Sequence, residues 1–145
     1  MITNSDITLY NCYIDTSTGK QVYKRTYIYG VNWQGENIKT LSDKGLNSAD
    51  NINIYIPKNS VVIENDKKYV KPKKYLNSDD ISNYFTFRGG DIIVKGITDF
   101  EIDPLDKTKN IKALEKAEDD VITIYSVIDY DYCSESMKHW KIGGK

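Results

Sequence analysis

Along most of the chain, apolar and polar residues alternate with a period of two. Ile7-Thr-Leu-Tyr-Asn-Cys-Tyr-Ile14 is rich in β-branched and aromatic residues and halts at the turn-forming cluster Asp15-Thr-Ser-Thr-Gly19. The pattern resumes at Val22, with Tyr23, Arg25, Tyr27, Tyr29, Val31 and Trp33 on one side. Val22, Lys24, Thr26, Ile28 and Gly30 fall on the other. Two such runs across a short glycine turn predict a β-hairpin. The cleanest alternation is Asn51-Ile-Asn-Ile-Tyr-Ile56, a half-buried strand with Ile52, Ile54 and Ile56 on one face, ended by Pro57. Further strands are expected at 61–63, 84–87, 91–95, 100–102, 121–129 and 139–142, with Arg88-Gly-Gly-Asp91 as a tight turn.

Helical periodicity is rare. Asn77-Ser-Asp-Asp-Ile-Ser-Asn83 carries N-cap residues and acidic first-turn positions, enough for one or two turns. Asn110-Ile-Lys-Ala-Leu-Glu-Lys-Ala117 spaces Ile111 and Leu114 for one short amphipathic helix capped by Asn110. The fold class is therefore mainly β: a small antiparallel β-barrel or sandwich with long loops and one or two short helices. A barrel would also remove the exposed edges that a small all-β chain must manage. The whole chain, 1–145, reads as a single domain, with loop excursions at about 35–50 and 57–83. The first of these has little strand pattern, and connections of that length are usually functional or disordered.

Composition narrows the function classes. The 20 basic and 21 acidic side chains nearly cancel, so no global field draws the protein to nucleic acid or to a membrane. The densest basic stretch, Lys67 to Lys74, is flanked by Glu64, Asp66, Asp79 and Asp80 and reads as a solvated loop of mixed charge. Lysine outnumbers arginine 18 to 2, the bias of an AT-rich coding genome. Cys12 and Cys133 lie far apart without metal-ligand spacing; two reduced thiols are expected, with a disulfide between the terminal strands left open. No apolar run approaches 18 residues, and no secretion or membrane insertion is indicated.

Candidate chemistry is sparse. The sequence has neither phosphate-cradling glycine loop, no GxSxG elbow and one histidine, His139, beside one of two tryptophans, Trp140. A base needs a paired nucleophile, and only Ser134 and Ser136 are local to it. One histidine and two distant cysteines make a poor zinc set. The carboxylates at 118–120 and at Asp129 and Asp131 do not match a calcium-binding loop. Neither a catalytic residue nor a cofactor is expected, and the protein is not read as an enzyme. Among its 12 tyrosines, Tyr10, Tyr13, Tyr23, Tyr27 and Tyr29 suggest an aromatic sheet face able to stack sugars or single-stranded nucleic acid, or to serve an interface.

Several stretches in order carry a resemblance. They are Val31-Asn-Trp-Gln-Gly35, Ser42-Asp-Lys-Gly-Leu-Asn-Ser-Ala-Asp50 and Ile54-Tyr-Ile-Pro57. After them come Tyr84-Phe-Thr-Phe-Arg-Gly-Gly-Asp-Ile-Ile-Val-Lys-Gly96, Phe100-Glu-Ile102 and Met137-Lys-His-Trp-Lys-Ile-Gly-Gly-Lys145. In this order and spacing they resemble a family of small proteins from phages and prophages of low-GC Gram-positive bacteria. The resemblance implies a head–tail connector of the virion neck, of the head-closure or stopper kind: a β-barrel forming a homo-oligomeric ring between portal and adaptor above and tail terminator below. Genomic DNA would pass through the channel without tight binding, with no membrane involved. The localisation implied is the virion head–tail junction, after assembly in the bacterial host cytoplasm. A tail-terminator or tail-tube subunit is the nearest alternative, and a small β-barrel binding module is another. Structural or interface roles are expected of Trp33, Lys44, Leu46, His139, Trp140 and Lys145, with Trp140 and Ile142 pointing into the barrel and Gly143-Gly144 letting a basic end leave the sheet.

Overall fold

The computed structural model describes residues 3–15, 17–42, 45–58, 61–77, 81–131 and 137–145, with the backbone alone over 36–42 and 45–50 and at residue 81. Nine strands are described: β1 (Ser5–Ile14), β2 (Gln21–Ser42), β3 (Gly45–Pro57), β4 (Val62–Ile63), β5 (Lys68–Tyr69), β6 (Tyr84–Phe85), β7 (Ile92–Lys95), β8 (Val121–Tyr130) and β9 (His139–Gly144). Two short helices, α1 (Pro72–Leu76) and α2 (Ile111–Ala117), complete the regular elements together with 3-10 turns at Glu64–Asp66 and Ile81–Asn83. The strands β1-β7-β8-β9-β3-β2 pair in that order, all antiparallel, and β2 returns to β1. Of the two architectures expected, the chain therefore adopts the closed barrel, with β4 paired as an extra strand along the edge of β2.

The β1–β2 hairpin forms as the alternation predicts. Its turn is closed by the Gly19 N–H donating to Asp15 O at 2.6 Å, with Gly19 at φ +68°. The interior takes Ile7 and Leu9 of β1, Ile28 of β2, Ile54 and Ile56 of β3, Ile122 and Ile124 of β8, and Trp140 and Ile142 of β9. The predicted faces of β2 hold only in part. Thr26 and Ile28 face inward, and then Val31 and Trp33 do, so the buried set changes parity midway. The cause is a bulge at Gly30. Asp6 pairs with Tyr29 and Ser5 with Val31, Gly30 adopts φ +86°, and its N–H donates to Asp6 Oδ1 at 3.0 Å. A second bulge, at Tyr125, does the same to β8, where Ile124 pairs with Gly144 and Ser126 with Gly143.

Residues 35–50 are not the patternless connection read from the sequence. β2 and β3 stay paired from Asn32↔Tyr55 out to Ser42↔Gly45. β9 accompanies β3 only as far as Ile52↔Gly144, and β1 accompanies β2 only as far as Val31. The seven pairs from Glu36↔Asn51 outward thus form a two-stranded ribbon, roughly 23 Å long at the usual rise per residue.

Antiparallel order gathers the last residues of β1, β3 and β8 and the first of β2, β7 and β9 at the opposite end of the barrel. The 57–83 excursion packs there instead of projecting. Tyr69 (β5), Phe85 (β6), Phe87 and Trp140 form one aromatic cluster, with ring centroids 4.8–6.4 Å apart. Tyr75 of α1 is fully buried and meets Tyr13 edge-on. No α-helix is described over the expected 77–83: Asn77 is the C-cap of α1, which begins at Pro72, where proline suits the first helical position, and the described end of the expected stretch is the 3-10 turn Ile81–Asn83. Residues 78–80 of that expectation lie outside the described part.

A second, smaller core sits outside the barrel wall. Tyr10, Ile92 and Val94 face outward and are covered by Ile102 and Leu114, with Tyr23, Phe100, Ile111 and Val121 around them. The strand expected at 100–102 is a coil in this cover, held where the Tyr10 hydroxyl donates to Phe100 O. Helix α2 forms as the sequence predicts, the Asn110 side chain accepting from Ala113 N at 2.9 Å.

Candidate functional site

The segment that drew attention in the sequence is a strand with a sharp division between its faces. Trp140 and Ile142 are buried inside the barrel, as their register predicts. His139 lies on the outer face, stacked on Tyr130 at 4.7 Å between centroids and 5.8 Å from Tyr55. Its Nδ1 is 2.8 Å from Met137 O; since a carbonyl only accepts, Nδ1 carries the proton. No described hydroxyl, thiol or carboxylate reaches the ring, and Ser134 and Ser136 lie outside the described residues. The local role of His139 is to fill a ring stack.

One expectation for this segment is corrected. Gly143 and Gly144 do not release the chain from the sheet. Both are buried in β9 and pair with β3 and β8. Lys145 continues the ladder, its N–H donating to Thr123 O and its carbonyl accepting from Thr123 N, both at 3.2 Å. At Gly144 β8 approaches too closely for a side chain, because an added Cβ would collide with Ile122; at Gly143 it would meet Ser126 Oγ, which can rotate away.

Trp33 is likewise a core residue, 8% exposed. Asn4 holds it from both sides, accepting from Trp33 N at 2.8 Å and donating to Trp33 O at 3.1 Å. Its side chain thus stands in for one more rung of the ladder. Lys44 and Cys133 lie outside the described residues; Leu46 is described by its backbone, opposite Leu41 in the ribbon. Cys12 is a half-buried free thiol. The five tyrosines do not form one exposed face: Tyr10 is fully buried, Tyr13 packs against Tyr75, and Tyr27 donates its hydroxyl to Thr98 O at 2.8 Å.

Sequence reading passed over Asp91, the most unusual ionisable group described. The Arg88–Asp91 turn, with Gly90 at φ +95°, places this carboxyl fully out of solvent at the closed end of the barrel. It accepts from Asn11 Nδ2 at 2.8 Å, Cys12 N at 3.1 Å and Arg88 N at 3.3 Å. Burial pushes its pKa up to about 6, against the pull of these donors and of the Arg88 charge. The signal available in the sequence was the acid directly after Gly-Gly, which the turn forces inward. Its partners are structural groups, and the arrangement ties β1 to the β6–β7 turn.

Among the described residues, no three His, Cys, Asp or Glu side chains gather as a metal site. No described helix is long and apolar enough to cross a membrane. The molecule is thus a small closed antiparallel β-barrel, its interior a packed core, with a ribbon at one end and an aromatic plug at the other. Over residues 2–145 the chain matches, and belongs to, the family of unknown function DUF6751. No curated protein and no solved structure matches it.

Proposed function

We propose that the protein is a structural subunit of a tailed-phage neck, a head–tail connector of the stopper kind that forms a homo-oligomeric ring between portal-adaptor and tail. The carrying observation is the β2–β3 ribbon. Seven pairs of residues extend past the last rung of the barrel and pair only with each other among the described residues. A lone two-stranded ribbon gains little stability from itself, so a protein that keeps one uses it against something else. In a ring, that something is the adjacent subunit or the channel. The filled interior supports the same reading, because DNA would then pass through the ring and not through any one barrel. The ordered likeness to phage and prophage proteins supplies the remaining support.

The test shortens the ribbon. Replacing residues 37–50 by Asn-Gly joins Glu36 to Asn51, a register pair, through a favourable hairpin turn. The expected product keeps the melting temperature of the barrel and loses ring assembly, and particles carrying it fail to retain DNA. Rings and particles indistinguishable from wild type would refute the role of the ribbon. Electron microscopy of intact particles tests the location directly: a neck without density for this chain would end the proposal.

A further inference from the structure

A groove of about 1000 Å³ runs along the first residues of β2, between the β1–β2 turn, the Glu64–Asp66 turn and the 101–109 cover. Its volume is at the upper limit for small-ligand clefts. Lys20, Lys24, Arg25, Lys67 and Lys109 line it, facing three carboxylates, Glu64, Glu101 and Asp103. No described ion pair lies in the groove; those described are at Lys58 and Lys138.

Three of these groups, Glu64, Lys67 and Arg25, instead bind neutral backbone and hydroxyl partners. The Glu64 carboxylate accepts from Tyr27 N at 3.0 Å. Lys67 Nζ donates to Arg25 O and Thr26 Oγ1, both at 3.0 Å, and burial lowers its pKa. Arg25 donates to Asp99 O at 2.7 Å. In the turn that sets Glu64 and Lys67 in place, Asn65 and Asp66 are left-handed at φ 55° and 53°, a conformation these residue types tolerate.

We propose that this groove is a binding site for an acidic peptide segment of a partner protein. The lining carries five cations against three carboxylates, Arg25 and Lys67 are held by neutral partners that leave their charge uncancelled, and Glu64 is already engaged by the sheet edge. A peptide can set its carboxylates against Lys20, Lys24 and Arg25 while its backbone N–H groups face Glu101 and Asp103. A phosphate backbone, with a charge at every unit, would meet those two carboxylates unfavourably. The site does not depend on the neck reading, since the groove lies at the far end of the barrel from the ribbon.

Fluorescence anisotropy tests it with the full chain at low salt, where exposed charges are least screened. The probe is a fluorescein-labelled octapeptide alternating Glu and Ser, compared with its Gln-for-Glu version and with an eight-residue oligothymidylate. The Glu peptide is expected to bind and the Gln peptide not to. Lys24→Gln with Lys109→Gln should weaken binding about tenfold while the melting temperature holds. Lys74→Gln, on α1, should leave binding unchanged. The proposal is overturned if the Glu peptide does not bind, if both variants behave alike, or if oligothymidylate binds more tightly through the same lysines.

Discussion

The closeness of β8 to β9 makes a sharp prediction at Gly144. A Cβ added there would overlap Ile122 Cδ1 and would lie 3.0 Å from Cγ1 and 3.1 Å from Cβ of the same side chain. Comfortable carbon contacts begin near 3.5 Å. Swinging Cδ1 away cannot cure this, because the nearer atoms follow the backbone and isoleucine is stiff at χ1. Replacing glycine by alanine gains about 0.4–1 kcal/mol through the unfolded chain, whereas overpacking a filled core costs about 1–3 kcal/mol. Packing wins, and Gly144→Ala should destabilise the barrel by about 1–2 kcal/mol. Ile122→Val alone, which deletes the overlapping methyl, should cost about 0.5–1.5 kcal/mol as an ordinary core truncation. The double variant should be clearly less damaged than the sum, because each change relieves the other. Urea unfolding followed by tryptophan fluorescence reads all four proteins, since Trp33 and Trp140 are both buried. A neutral Gly144→Ala, or strict additivity, would show that β8 and β9 are not packed in this way.

Other outcomes follow from single features. Asp91 is pushed from 3.8 to about 6 in the folded state, so the fold binds its proton more tightly than the unfolded chain. The stability this group contributes should be complete only below about pH 4, should fall as pH rises between about 4 and 6, and should level off above that. The full effect is about 3 kcal/mol, measurable as urea midpoints from pH 3 to 7.5; a flat profile would refute it. Trp140 buries its indole Nε1 without a partner, so Trp140→Phe should cost within about 1 kcal/mol while Trp140→Ala costs about 3–5 kcal/mol. Equal losses by chemical denaturation would contradict that. Gly30→Ala must take a left-handed conformation at the bulge, at about 1–2 kcal/mol, and should lower the thermal midpoint with no change in the far-ultraviolet spectrum.

The parts of the fold legible in the sequence were those where one face is wet and the other dry. Ile52, Ile54 and Ile56 announced β3, and Trp140 with Ile142 announced β9, because alternation is the direct imprint of a half-buried strand. Asn110 announced α2. Parity changes at Gly30 and Tyr125 were not legible, since a bulge inserts one residue without altering composition. Phe100 and Ile102 read as a strand for the same reason that they cover Tyr10: both roles call for spaced apolar residues. The ribbon was missed because Glu36-Asn-Ile-Lys-Thr-Leu and Leu46-Asn-Ser-Ala-Asp50 are mostly polar and carry no sustained apolar–polar alternation. The groove was hidden for another reason. Its cations come from Lys20 to Arg25, Lys67 and Lys109, and only the closed barrel brings these together.

Strand β1 has a consequence for how this molecule comes apart. Ile7 and Leu9 lie in the barrel core while Thr8 and Tyr10 lie beneath the outer cover, and all four are 0% exposed. Both edges of the strand are also paired, with β2 and with β7. Over residues 7–10 it has no wet side, although it is set in the wall of an antiparallel barrel where one face normally meets water. The outer cover cannot peel away without uncovering the Tyr10 hydroxyl, and the inner core cannot loosen without shifting the same backbone. Amide protons of residues 7–10 should therefore be the slowest of the described chain to exchange with deuterium, and should do so only when both cores open in one event.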